Sequence, residues 1–380
     1  MHTSIKAPRI RSVALATLVA AAAAGTAASG ATRPGWTTAQ SMAAARTDHR
    51  AILLDDGRIL VAGGSDTAPL ASAELYSPSG DSWMPAASMN EARSEFVAVK
   101  LNDGRVLAAG GAGSTTPALG SAEIYDPATA TWTPTGSMSE TRVGHTGLLL
   151  PDGRVLVAGG ETASWTIVSS AEIYDPATGL WTPTGSMNLA REGDSLIPLA
   201  DGRVMISGGH DDYYLAHASA EIFDPATGVW SLTGSMAEGR NYHISAVLSS
   251  GEVLVAGGED ETGTVRATAE LWNPANGTWR PAPVMGAPRN YHAVAMLSNG
   301  QVLVTGGGTV ATGGTPIRSA ELFDPLTGTW RTAGTLRRAR HTHASVILGD
   351  GRQVILFGGI GPNGRPIDSV ERFGPKTQGQ

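Results

Sequence analysis

Residues 142–160 read RVGHTGLLLPDGRVLVAGG, and after nine variable residues the chain continues from 170 to 187 as SAEIYDPATGLWTPTGSM. The apolar runs TGLLL and VLVA flank Asp152-Gly153. An Asp-Gly step between two such runs marks a two-residue hairpin, whose turn requires positive φ that Gly and Asp tolerate. A third run ends in Tyr174 and a fourth carries Trp181, so the stretch reads as four short antiparallel strands.

The same pattern recurs along the chain. Gly-Gly pairs begin at Gly63, Gly110, Gly159, Gly208, Gly257, Gly306 and Gly358, at spacings of 47, 49, 49, 49, 49 and 52 residues. Glu74, Glu123, Glu172, Glu221, Glu270, Glu321 and Glu371 follow with the same period, and so do Trp36, Trp83, Trp132, Trp181, Trp230, Trp279 and Trp330. Three independent marks with one period and seven copies define a repeat protein, and four strands in about 49 residues is the size of one propeller blade.

These marks resemble the Kelch repeat from Trp36 to Phe373: Arg-x-x-His, Asp-Gly-Arg, Gly-Gly, Ala-Glu-x-Tyr-Asp-Pro, then Trp and Met. The resemblance implies an all-β, seven-bladed Kelch-type β-propeller, its Arg-x-x-His strand innermost along a central channel and its Trp strand outermost. The order of the marks predicts the closure. The chain enters with a lone Trp strand at Trp36 and ends after a third strand at Phe373, so the first strand should complete the last blade. Closure removes the exposed sheet edges of an open array. The domain assignment is a signal peptide over residues 1–31, a propeller over 32–373 and a tail over 374–380.

The assignment of the leader rests on Lys6, Arg9 and Arg11 followed by the apolar run Val13 to Ala24 and small residues, the pattern of a secretory signal. Cleavage after Ala27 or after Ala31 fits equally. The run is too short to span a bilayer, which takes roughly 20 apolar residues, so a secreted protein without membrane insertion is expected. Removing three basic residues from a net charge of −7 leaves −10, which argues against nucleic acid as a partner. With no Cys, the ring must close without disulfides. A monomer is expected.

Residues present in every copy point to scaffold. Arg46, Arg93, Arg142, Arg191, Arg240, Arg289 and Arg340 precede the inner strand, and each is expected to pair with the Glu of its copy. The Trp residues and the aromatics at Tyr76, Tyr125, Tyr174, Phe223, Trp272, Phe323 and Phe373 are expected to pack between blades.

Three places after each Arg stand His49, Phe96, His145, Asp194, His243, His292 and His343. Imidazoles bonded to neighbouring backbone are one reading; a metal site near the axis is the other, since imidazole suits copper and zinc. Arg240-Asn241-Tyr242-His243 and Arg289-Asn290-Tyr291-His292 resemble the segment that supplies adjacent Tyr and His copper ligands in the galactose oxidase family. That resemblance implies Tyr242 with His243, or Tyr291 with His292, as metal ligands. The family's cofactor needs a Cys linked to a second Tyr, which this chain lacks, so the expectation is no cofactor, with copper or zinc as the alternative.

Asp48, Glu95, Glu192 and Asp194 fall near the channel mouth, where a solvated rim or a general acid–base pair would place carboxylates. The loops after the Gly pairs differ between copies. The third carries Trp165, the fourth His210, Asp211, Asp212, Tyr213 and Tyr214, and the fifth Glu259, Asp260 and Glu261. Scaffold does not require aromatics and acids in single copies, and loops on a rigid frame carry binding residues. Trp165, His210, Asp211, Asp212, Tyr213, Tyr214 and Asp194 are therefore the candidate ligand residues. The expected function is a noncatalytic module binding a glycan or a protein on one loop-rich face. The alternative is a propeller enzyme acting on carbohydrates at the channel mouth, metal-dependent or mutarotase-like.

Overall fold

The computed structural model describes residues 35–311 and 314–374; the leader assigned to residues 1–31, and the tail beyond Gly374, lie outside the described residues. Among the described residues 28 strands form seven four-stranded antiparallel sheets. Blades 1 to 6 are each continuous in sequence, running from the innermost strand to the outermost. Blade 1, for instance, comprises Arg50–Leu53, Ile59–Ala62, Ala73–Ser77 and Ser82–Ala86. Blade 7 takes Ala344–Ile347, Val354–Phe357 and Val370–Gly374 from the end of the chain and its outermost strand, Gly35–Ala39, from the beginning. Trp36 lies opposite Phe373 and Ala39 opposite Val370, so the ring closes as the order of the marks requires. Each innermost strand touches those of both neighbouring blades, blade 7 against blade 1 included.

The second strand of every blade is a continuous apolar run because both of its faces are covered by neighbouring blades; Val155–Ala158 is buried at all four positions. Between blades 1 and 2 the buried set includes Leu60, Ala62, Phe96, Val106, Tyr125 and Trp132. Trp132 and Tyr125, on adjacent strands, have ring centroids 5.1 Å apart. Six of the seven repeated tryptophans donate their indole N–H to a backbone carbonyl of the preceding blade at 2.6–3.0 Å. These rings therefore pack between blades and also fix the spacing of the blades by hydrogen bonds.

The hairpins differ from the expected two-residue turn. Gly57 donates to Leu54 O and Leu54 donates to Arg58 O, so residues 55–57 form a three-residue loop. Positive φ falls on the glycine alone, at +83° for Gly57, while the preceding Asp56 keeps an ordinary φ. A type I turn followed by a left-handed glycine is the three-residue solution, and it recurs in blades 1 to 6, whereas in blade 7 Leu348 donates to Gln353 O and the loop is one residue longer.

Candidate functional site at the channel mouth

The repeated charges belong to the frame. Every repeated Arg reaches the Glu of its own blade at 2.5–3.4 Å with no solvent exposure of the Arg side chain. Arg240 also donates through Nη1 to Gly257 O and Thr268 O, and Glu270 accepts the N–H of Ala237. Burial lowers the Arg240 pKa and Glu270 opposes the shift. A buried pair that is also hydrogen-bonded to neighbouring backbone is held firmly in place.

The Gly pairs lock one blade to the next. The second Gly of each pair donates to the carbonyl of the following blade's Arg at 2.7–2.9 Å. A Cβ on Gly208 would stand 2.3 Å from Arg240 O and 2.5 Å from His243 Cε1, at φ +64°, so only glycine fits. The same geometry places the histidines: His49, His145, His243, His292 and His343 each lie against the first Gly of the preceding blade. His243 Nε2 meets Ser207 Oγ at 3.2 Å and His343 Nε2 meets Thr305 Oγ1 at 2.9 Å. Burial and the neighbouring arginines depress these imidazoles, His243 to about 3. Each faces a different blade interface, and among the described residues no three His, Asp or Glu side chains converge as a metal requires.

Asp194 takes the histidine's place in blade 4. Its Oδ2 would lie 3.5 Å from a Cβ on Gly159, and burial, opposed by Arg191, raises its pKa to about 7. It therefore stands in the interface between blades 3 and 4 and does not join the loop residues.

The mouth itself is built from positions two after each Arg: Asp48, Glu95, Gly144, Gly193, Tyr242, Tyr291 and Thr342. All seven have φ between 49° and 69°. Five carry a side chain there although a left-handed residue costs about 1–2 kcal/mol. Backbone bonds link them blade to blade: Glu95 N–H to Asp48 O, Gly144 to Glu95, Tyr242 to Gly193, Tyr291 to Tyr242 and Thr342 to Tyr291, at 2.8–3.1 Å. Thr47 and Thr342 close the seam with a 2.9 Å hydroxyl contact. The αL conformation directs successive N–H and C=O groups along this belt and leaves the side chains at the mouth.

On the belt, Tyr242 and Tyr291 stack at 4.1 Å, His210 lies 5.7 Å from Tyr242, Tyr214 stacks on His210 at 5.2 Å, and His341 lies 6.1 Å from Tyr291. Five rings from blades 4 to 7 thus form one arc. Burial, together with Glu192, Glu259 and, from across the ring, Glu95, raises the Tyr242 phenol pKa well above its ordinary value. On the opposite side, Arg50 lies 5.6 Å over the Phe96 ring between Asp48 and Glu95. Burial lowers Arg50 to about 10 and, against the opposing charge of Arg50, raises Asp48 to about 7. The acids Asp48, Glu95, Glu192 and Asp194 are all buried, so the solvated rim is not what these positions form. Each is desolvated by the blades that meet at the channel.

Among the loop residues, Tyr213 is 90% exposed, Trp165 49% and Tyr214 46%. Asp211 Oδ1 accepts the N–H of Tyr213 and Leu215 and so shapes its turn, whereas Asp212 Oδ1 accepts the N–H of Ile167 and ties the blade 4 loop to that of blade 3. The structure therefore brings His210 and Tyr214 together with Tyr242 and Tyr291, and leaves Trp165 and Tyr213 facing solvent. Arg50, Asn241, Asn290, His341, Glu161 and Glu259 join the mouth or its margin. Their signal in the sequence was variation at fixed offsets from invariant marks, one place after each Arg or each Gly pair, with Arg50 four places after Arg46.

With fold and mouth described, the class is defined: the chain belongs to the Kelch-repeat proteins. The model of the KLHDC2/KLHL20/DRC7 Kelch-repeats domain matches residues 144–359, and the Kelch motif matches residues 47–90 and 97–139. No curated protein is significantly similar in sequence. Among solved structures the chain is similar to a fungal alcohol oxidase of the AA5 family in complex with copper, at 17% identity and a TM-score of 0.73, over 90% of this chain and 77% of that one. It is also similar to YjhT, at 14% identity and a TM-score of 0.61, over 77% of this chain and 99% of that one. Likeness at these identities is likeness of fold, and the function is argued from the site.

Proposed function

We propose that this protein is a secreted, noncatalytic module that binds a glycan on the channel-mouth face. The observation that supports this reading is the arc of Tyr214, His210, Tyr242, Tyr291 and His341, flanked by buried carboxyl and amide groups. Aromatic faces accept the C–H faces of sugar rings, while fixed polar groups at their edges select hydroxyl or amine positions. The rigid belt beneath keeps these groups in place before a ligand arrives, which lowers the ordering cost of binding. A glycan array probed with the purified protein and with Tyr214→Ala and Trp165→Ala tests the reading. Binding lost or weakened in either variant supports this face, and unaltered binding in both removes it.

One observation favours a second reading, acid–base chemistry on a sugar. Asp48, raised to about 7, is a proton donor near neutrality, with Glu95 a second carboxyl group across Arg50. Turnover of a reducing sugar or glycoside that is abolished in Asp48→Asn would establish it.

A further inference from the structure

The loops that follow the Gly pairs in blades 3, 4, 5 and 7 share one turn. In each, the residue six places after the first Gly of the pair lies at positive φ and donates its N–H at 2.9 Å to the carbonyl three places back: Trp165 to Thr162, Tyr214 to Asp211, Gly263 to Asp260 and Gly364 to Gly361. Glycine adopts this left-handed conformation freely, whereas a bulky side chain resists it. Blades 5 and 7 carry the residue the turn asks for, but blades 3 and 4 carry an aromatic, at φ +66° and +61°. The turn therefore does not account for Trp165 or Tyr214, and strain kept in an exposed loop points to use. The two loops are also joined, since Asp212 Oδ1 accepts the N–H of Ile167 at 2.8 Å. Tyr214 stacks on His210, so the pair of loops continues the aromatic arc outward. Within the arc His210, Tyr291 and His341 are buried and Tyr242 is half-buried, so the ring area open to a ligand lies at its outer end, on Tyr214, Tyr213 and Trp165.

From these two strained, exposed aromatics on joined loops of neighbouring blades, we infer that the ligand is an extended polysaccharide chain laid across the loops of blades 3 and 4, and not a single sugar held inside the channel. Trp165 and Tyr214 each receive the C–H face of a sugar, and Tyr213 stands beside them at the most exposed point of the blade 4 loop. One such contact is weak. Contacts on a shared rigid support add up for a chain long enough to cross both loops, because after the first is made the others form within one complex. A monosaccharide gains one contact and forgoes the rest. The inference rests on the glycan reading above and adds the length of the ligand and its path over the blades.

The test is calorimetric titration of the whole protein with cellohexaose, xylohexaose, N-acetylchitohexaose and maltohexaose, each against its own monosaccharide. A hexasaccharide that binds should do so about fiftyfold or more tighter than its monosaccharide, well beyond the roughly sixfold that six equal sugars give by number alone. Trp165→Gly and Tyr214→Gly install the residue that the same turn carries in blades 5 and 7. Each variant should therefore melt no lower than the parent and yet lose at least tenfold in affinity for the hexasaccharide. A merely structural ring would do the reverse, and a lower melting temperature in both variants overturns the inference. A monosaccharide that binds as tightly as its hexasaccharide, with binding weakened in the variants, overturns the inference while the glycan reading stands. Unaltered binding in both variants, or no binding of any of these sugars, overturns both.

Discussion

Tyr242 and Tyr291, from adjacent blades, lie ring on ring with centroids 4.1 Å apart and planes 20° from parallel. Each is held at positive φ, so the stack is imposed by the belt of linked backbone. Tyr291→Phe should keep the stack and leave the melting temperature within about 2 °C. Tyr291→Leu should lose about 1 kcal/mol beyond its area term and weaken glycan binding, because Tyr242 then has no surface to rest on. Thermal melting and calorimetric titration on the two variants check this.

Arg240→Ala should destabilise the protein by about 3–5 kcal/mol, since it leaves Glu270 buried without its cation. Arg240→Lys should rescue little. The guanidinium serves Gly257 O and Thr268 O through Nη1 and Glu270 through Nη2, and a single ammonium cannot span both. Denaturant melts of the three proteins decide it; full rescue by lysine would show that charge alone matters.

Much of this was legible beforehand because the chain repeats. Seven copies of Arg, Glu, Gly-Gly and Trp reveal blade number, strand order and the closing strand, since each mark is tied to a packing requirement that every blade shares. The hairpin type is not legible in the sequence because an Asp-Gly step fits both a two-residue and a three-residue turn, and only the Leu54 to Gly57 and Arg58 bonds distinguish them. The direction of His243 was not legible either. Alternation along a strand gives two faces, but which face meets the preceding blade's Gly208 and which the channel depends on the tilt of the blade. The place of Asp194 depends on the same tilt, and Arg50 carries no repeat signal because it has no counterpart in the other six blades.

Asp194 binds its proton up to about pH 7 in the fold but only to about 4 when unfolded. The folded state thus holds one more proton between those values, and its stability falls as pH rises through that window. Asp194→Asn should therefore be more stable than the parent at pH 8, by up to about 4 kcal/mol, and should show little difference at pH 4. Melting temperatures at both values check it, and an equal shift at both would assign the effect to packing.

The histidines act with the opposite sign. His243, lowered to about 3, stays neutral in the fold, while an unfolded imidazole takes up a proton below about 6.5. Its contribution is fully present above pH 6.5 and is lost as pH falls toward 3, as are those of the other depressed imidazoles. His243→Gln should make the fall in melting temperature between pH 6.5 and 4 shallower than in the parent. Parallel curves would show that the imidazole does not set the acid limit.

The pairing of Trp36 with Phe373 means that the earliest residues of the propeller to be synthesised wait for the latest. Any process that handles the polypeptide from front to back, whether translation, threading through a pore or unfolding by pulling on one end, meets the two halves of this clasp at opposite ends of its course. Six sheets can assemble as they emerge, but the seventh must recruit a ribbon that has stood idle throughout. The last act of folding therefore spans the longest loop the chain contains, and releasing that one ribbon is the shortest route to undoing the circle.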